Sequence, residues 1–385
     1  MIGGTSFDNG SWVAENDVWS STDGVSWTLD NSNATFKIEG GHQAIVFKNQ
    51  LWMIDSQNDE SKVWVSADGA SWNEQSTNGA FTGRSEHQVI SFQNKLWLIG
   101  GYDGTNKNDV WSSSDGVNWK LEILHAAFPG RASHQVVILN NKLWLISGSG
   151  DSGRLKDVWS SADGIHWVLE NANTPFAARN YHKAIVYNNQ IWLTGGYDDN
   201  GAKLNDVWSS GDGKTWAQKT AHANFSARVS PNLVSFNNQM WLFGGNDGGF
   251  DSNGNPIGGL ESDVWTSSDG ITWVKQTAST EFLAQSGHEM LLHNNKLWAI
   301  GGGTQSLIQS DVWSSADGIH WAQETDNAAF DVRYKEQVVS YDGSLILIGG
   351  SQFHSQITYK NDVWISTDGK DWRTGYTATF HFLKN

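Results

Sequence analysis

NDVWSSSDGVNW, residues Asn108–Trp119, is the stretch that the rest of the chain keeps rewriting. Near-copies run Asn16–Trp27, Lys62–Trp72, Lys156–Trp167, Asn205–Trp216, Ser262–Trp273, Ser310–Trp321 and Asn361–Trp372, eight in all. In each copy Trp follows Val, a Ser-x-Asp-Gly run comes next, and a second Trp closes the unit. The Val-Trp tryptophans, from Trp19 to Trp364, step by about 49 residues, a period that marks a propeller or another repeat architecture.

Working outward from that stretch, one whole unit is legible. Arg84-Ser85-Glu86-His87 opens it, and His87–Phe92 (HQVISF) reads as a strand. Gln93-Asn94 turns the chain into a second apolar strand, Lys95–Gly101 (KLWLIGG), which ends in paired glycines. A polar loop leads to a third strand at Asn108–Ser113, and Asp115-Gly116 reads as a two-residue hairpin turn into a fourth. The first two strands are almost wholly apolar, as strands covered on both faces are. Of 23 Trp, eight sit in Val-Trp, eight close the unit and six fill the second strand, with only Trp12 outside the pattern. Flat side chains repeated at fixed positions are expected to pack between neighbouring sheets.

These residues resemble Kelch repeats: Arg-x-x-His, an apolar strand, a strand ending Gly-Gly, a polar loop, and strands closed by Trp. The likeness runs through essentially the whole chain. The Ser-x-Asp-Gly-x-x-Trp hairpin is also similar to the Asp-box of sialidase-type propellers, one residue shorter. Departures are Ile54-Asp55 in place of Gly-Gly, Pro231 and Glu336 at the His position, and no second-strand Trp in the last unit.

The resemblance implies an all-β chain forming one eight-bladed β-propeller of four-stranded antiparallel blades. Met1–Gly4 aligns with the end of a second strand and Ala378–Asn385 with a first strand. The expected closure therefore joins N- and C-terminal strands in one blade, leaving no exposed sheet edge. Blade 1 is expected from 375–385 plus 1–29, and blades 2–8 at about 40–74, 85–121, 132–169, 180–218, 229–275, 286–323 and 334–374, in a single domain spanning 1–385.

Composition narrows the function less than the fold. With no Cys there are no disulfides, thiolate metal sites or Cys nucleophiles. The copper chemistry of galactose-oxidase-type Kelch enzymes, which rests on a Cys-modified Tyr, is excluded with them. A net charge of −16 argues against nucleic acid. Fifteen of the 41 acidic residues belong to the repeat, so the charge reads as scaffold and solubility. No apolar run is long enough to span a membrane. The first residues read as no signal peptide; an exported or cell-surface monomer is expected.

Chemistry has few places to sit. The loops after Gly-Gly and the links into each first strand are expected to share one face. The links carry Arg84, Arg131, Arg179, Arg228 and Arg333, five of only seven arginines. They either form a pocket mouth for carboxylates, which Arg binds in bidentate fashion, or tie each link to a neighbouring blade. His42, His87, His134, His182 and His288 start first strands and read as structural, since a metal needs ligands converging within about 2.1 Å. Tyr102, Tyr197, Phe250, Phe353, His354 and Tyr359 are further ligand-face candidates on the loops after Gly-Gly. The longest such loop holds Asp251, Asn253 and Asn255, an oxygen-ligand spacing partly like a calcium loop, although Pro256 and Ser262 break the EF-hand pattern. A solvated turn is the competing reading there; no cofactor is required, and Ca2+ is the one candidate.

No nucleophile motif, phosphate-cradling loop or zincin helix is present. The function expected is a non-catalytic binding module presenting a loop-lined face to a carbohydrate or protein ligand. The alternative is an enzyme on an acidic sugar, similar to sialic acid mutarotases or Asp-box sialidases. It would use the rim arginines with Glu86, Glu289 or Glu336 as proton-transfer acid. A structural subunit assembling through one face is the third possibility.

Overall fold

The computed structural model describes residues 80–250 without interruption. It also describes 2–8, 11–20, 28–31, 43–55, 62–67, 73–75, 256–257, 259, 261, 263–277, 289–300, 310–318, 320–325, 328, 330, 337–341, 343–348, 351–353, 357–359, 363–366 and 372–374. Every regular element among them is a strand.

Repeat 4 shows how one unit folds. Its four antiparallel strands, Gln135–Leu139, Lys142–Gly150, Gly153–Ser161 and Trp167–Asn171, pair in sequence order. The first turn is set by Asn140 and Asn141, with φ of 52° and 54°. Two consecutive positive φ values make the type I′ turn whose twist suits a hairpin, and Asn tolerates them. The same geometry recurs at Asn188-Asn189, Asn237-Asn238 and Asn294-Asn295.

The Asp-Gly turn differs from its expectation. In repeat 3 the third strand ends at Ser113 and pairs with Trp119, so five residues form the connection rather than two. Asp115 Oδ1 accepts N–H bonds from Val117 (2.9 Å) and Asn118 (2.8 Å), while Ser113 Oγ accepts from Gly116 N at 2.7 Å. The side chains of Ser and Asp replace the backbone partners that a tight turn would have supplied.

Each tryptophan class has its own acceptor. Second-strand indoles donate five residues back, as Trp97 does to Phe92 O (3.1 Å), and closing indoles donate to the Asp-box glycine, as Trp119 does to Gly116 O (2.9 Å). The Val-Trp indoles of repeats 3–7 donate to the Asp two positions earlier, as Trp159 does to Asp157 at 2.6 Å. The second-strand Trp also slides beneath the Asp-Gly turn of the following repeat. A Cβ built on Gly116, Gly164, Gly213, Gly270 or Gly318 would fall 1.8–2.4 Å from the ring of Trp52, Trp97, Trp144, Trp192 or Trp241.

The hydrophobic cores accordingly lie between blades. One joins Phe92, Trp97 and Ile99 of repeat 3 to Val136, Leu143 and Trp159 of repeat 4, and comparable clusters fill the successive interfaces.

The blade count corrects the expectation. Seven sheets have four strands, those of repeats 2–8, whereas the first repeat forms a three-stranded sheet of Ile2–Asp8, Ser11–Ser20 and Thr28–Asn31. The inner strands Gln43–Phe47, Gln88–Phe92, Gln135–Leu139, Lys183–Tyr187, Asn232–Phe236, Glu289–His293 and Gln337–Tyr341 neighbour one another in turn, and the last lies directly beside the first. One core runs from Trp298 of repeat 7 through Val338 and Leu347 of repeat 8 to Leu51 and Trp64 of repeat 2. The propeller therefore has seven four-stranded blades, not eight. The physical reason is that, among the described residues, the first repeat supplies no inner strand, the element by which a blade takes its place in the ring. The 378–385 segment expected to supply it lies outside the described residues.

Candidate functional site

The link into each blade and the loop after Gly-Gly lie side by side, because residues of the two bridge each other. The bridges are Ser85 with Tyr102, Ala132 with Ser149, Asn180 with Tyr197 and Val229 with Asn246. These segments together form the face on which most of the candidate residues lie.

The arginines face inward from it. Arg84 is 2% exposed and Arg131, Arg179 and Arg228 are 0% exposed. Each grips the Asp of Asp-Val-Trp in its own blade through two nitrogens. Arg131 meets Asp157 at 2.9 and 2.8 Å, Arg179 meets Asp206 at 2.8 and 2.7 Å, and Arg228 meets Asp263 at 2.6 and 3.1 Å. Arg84 pairs with Asp109 in the same way. The remaining donors go to main-chain carbonyls, as Arg131 Nη1 does to Ser147 O (2.9 Å) and Nε to Pro129 O (3.1 Å). Burial pushes the Asp263 carboxyl up, but Arg228, Trp265 and Lys275 together hold it below the usual range.

The arginine main chain does the work between blades. Arg131 N donates to Lys107 O of the preceding blade (2.9 Å), and Gly101 N of that blade donates back to Arg131 O at 2.8 Å. Arg179 and Arg228 repeat this clasp with Leu155 and Gly148, and with Leu204 and Gly196. A phenylalanine three residues before each Arg completes it: Phe128 lies edge-on to Trp159 and Trp167, with the Arg131 guanidinium 5.6 Å from its ring. Sequence reasoning missed these residues, although Phe81, Phe128, Phe176, Phe225 and Phe330 recur at one register. Arg333 lies outside the described residues.

The histidines are enclosed too. The rings of His134 and His182 are buried, and burial above all, with Arg131 or Arg179 nearby, lowers their pKa, that of His182 to about 3. Both are uncharged at neutral pH. A Cβ on Gly100 would lie 2.9 Å from His134 Cε1 and one on Gly101 2.8 Å from His87 Cβ, which explains paired glycines opposite the histidines. Among the described residues no group of three or more His, Asp or Glu is placed to hold a metal ion. His42, His288, His354, Glu336, Asp251, Asn253 and Asn255 lie outside the described residues. Phe250 lies on a short strand paired with Pro256–Ile257, and Phe353 and Tyr359 lie on a paired hairpin, Ser351–Phe353 with Ile357–Tyr359.

What the face does display is a mixed set of side chains, in which the residue after Gly-Gly is Tyr102 in repeat 3 and again Tyr197 in repeat 5. Tyr102 is 46% exposed. The Tyr197 ring has the Arg154 guanidinium at 5.7 Å and the Lys203 ammonium at 5.9 Å. Arg154 Nε donates to Asn180 Oδ1 (2.8 Å), and Lys203 Nζ lies 3.4 Å from Asn246 Oδ1. Next to them, burial first, then the hydrogen bond that protonated Glu261 makes to Asp247 and the charges of Asp263 and Asp247, push the Glu261 carboxyl up to about 7 despite Arg228.

A pH test follows. Because the folded value lies above the ordinary 4.5, the stability linked to Glu261 is complete below pH 4.5 and is lost as pH rises through 7. The Tm of Glu261→Gln relative to the parent is expected to rise between pH 5 and pH 8, read by thermal unfolding; a constant difference would refute the argument.

At the mouth of the channel, the residue just before each His slot adopts a left-handed backbone. Glu86, Ser133, Tyr181 and Ser230 have φ of 57°, 51°, 52° and 48°. That conformation costs a side-chain-bearing residue about 1 kcal/mol or more. Glu86 is a hub there: its carboxylate accepts from Ser133 Oγ and, at 2.6 Å, from the Tyr181 hydroxyl, two blades away. Burial, then the charge and hydrogen bond of Glu86, raise the Tyr181 pKa, so the hydroxyl keeps its proton. Glu86 was readable as an acid beside the His slot; its partners were not, since they lie in the next two blades, 47 and 95 residues on.

No curated protein matches the chain. The model of a propeller family, described as DUF6242 beta propeller domain, matches residues 21–313. A β-propeller is the fold that this description states, and with most of its length matched the chain belongs to the DUF6242 beta propeller domain family.

Proposed function

We propose that this propeller is a binding module that presents its loop-lined face to a carbohydrate or protein ligand without transforming it. The observation that carries this reading is a division of labour. Arg84, Arg131, Arg179 and Arg228 are spent on buried Asp pairs, while the exposed Glu86 and Tyr181 share a register with Ser133 and Ser230, and the half-buried Arg154 and Lys203 flank Tyr197. A scaffold repeats its residues; a recognition surface has no reason to. An enzyme holding an acidic sugar would need free guanidinium heads beside an acid, and these heads have their donors engaged.

The test is an array of saccharides and peptides probed with the labelled protein, followed by mass spectrometry of every retained compound. The expected outcome is retention of at least one compound, recovered unchanged, and at least tenfold weaker retention by Tyr102→Ala/Tyr197→Ala. Chemical conversion of a retained compound, or silence across the array, would overturn the reading.

A further inference from the structure

The left-handed slot at the channel mouth is occupied in a way that the scaffold does not require. In the sequence, the position before the His slot is Gly41 in repeat 2 and Gly287 in repeat 7, the residue type that a left-handed backbone favours, and both lie outside the described residues. In repeats 3–6 it holds Glu86, Ser133, Tyr181 and Ser230, all with φ near +50°. Side chains kept where glycine fits better are kept for what they touch, and strain retained in this way concentrates at functional sites. Ser133 and Tyr181 both donate to Glu86, which fixes the carboxylate across three blades while leaving it exposed. Tyr181 remains 40% exposed, and two positions further on, the half-buried Gln88, Gln135, Lys183 and Asn232 start the inner strands.

We infer that this mouth is a subsite for the end of a neutral saccharide, a specification that rests on the binding-module reading. Three features of the chemistry select that ligand. A sugar hydroxyl both donates and accepts, and the mouth offers a carboxylate acceptor beside hydroxyl, amide and ammonium groups. The Glu86 carboxylate already accepts from Ser133 and Tyr181, and the inner-strand starts carry one acid-free set of Gln88, Gln135, Lys183 and Asn232, so the mouth holds no cluster of like charge that would select a strongly charged ligand. The exposed part of the Tyr181 ring offers an amphipathic surface to the apolar face of a pyranose.

The experiment compares the parent with Glu86→Gly/Ser133→Gly/Tyr181→Gly on an array of neutral saccharides, acidic saccharides and peptides, with thermal unfolding of both proteins. Glu86→Gln serves as a second variant that preserves the bulk of the mouth. The expected result is that the parent retains neutral saccharides, and both variants lose at least tenfold in retention, with a Tm for the glycine variant equal to or above the parent's. Undiminished retention by both variants would move the subsite elsewhere, and a Tm loss of several degrees in the glycine variant with full retention by Glu86→Gln would make the slot residues scaffold. Retention of only acidic saccharides or peptides would overturn the ligand class while leaving a binding module. A parent that retains nothing would overturn both.

Discussion

Asp206→Ala is expected to destabilise the fold by about 3–5 kcal/mol, the usual cost of leaving one partner of a buried ion pair without the other. Arg179 is fully buried, holds Asp206 through two nitrogens, and has no solvent to turn to once the carboxylate is gone. The Trp208 indole, 2.7 Å from Asp206, loses its acceptor in the same step. Arg179→Met/Asp206→Leu is expected to recover much of the loss, because a shape-filling apolar pair carries no desolvation penalty. Urea unfolding of the parent, the single and the double variant reads all three values. A single-variant loss below about 1 kcal/mol would mean that water reaches Arg179 and that the pair behaves as a surface bridge.

Gly213→Ala is expected to cost about 3 kcal/mol, and its comparison with Gly201→Ala separates two causes. Both glycines have φ of 74°. A methyl on Gly213 would meet the Trp144 ring at 2.1 Å, whereas one on Gly201 would find nothing within 4 Å. Alanine at either position bears the left-handed penalty of roughly 1–2 kcal/mol. Only Gly213→Ala adds overpacking, typically about 1–3 kcal/mol. Because Trp144 belongs to the preceding blade, the extra loss measures the lock between blades rather than the hairpin itself. Equal losses in denaturant unfolding would show that Trp144 can move aside.

The arginines illustrate how much of the face was legible. Arg-x-x-His and Asp-Val-Trp stood out as two repeated motifs, yet 25 to 35 residues separate each Arg from its Asp. Spacing of that kind leaves open whether the guanidinium turns towards solvent or towards the blade, and the sequence reading kept both. The structure turns it inward because the Asp in the third strand and the carbonyl before the loop offer it more bonds than water would. The histidines were read as structural for a simpler reason, that equivalent positions spread around a ring do not converge on one ion, and the three that are described, His87, His134 and His182, are buried.

The mouth was the least legible part. Glu86 could be picked out as an acid, but its bond to Tyr181 crosses two blade boundaries. No local pattern reports that the chain will return there after 95 residues.

Period and side-chain type were enough to establish sheets of antiparallel strands packed through tryptophan. Alternation, turn residues and a near-50-residue repeat act locally and leave one low-energy solution for each unit. The number of blades did not follow from the number of copies. A count of eight motifs says nothing about whether each owns an inner strand, and the ring closes where Gln337–Tyr341 meets Gln43–Phe47. Closure depends on contacts between the far ends of the chain, and burying the faces of repeats 8 and 2 against each other decides it.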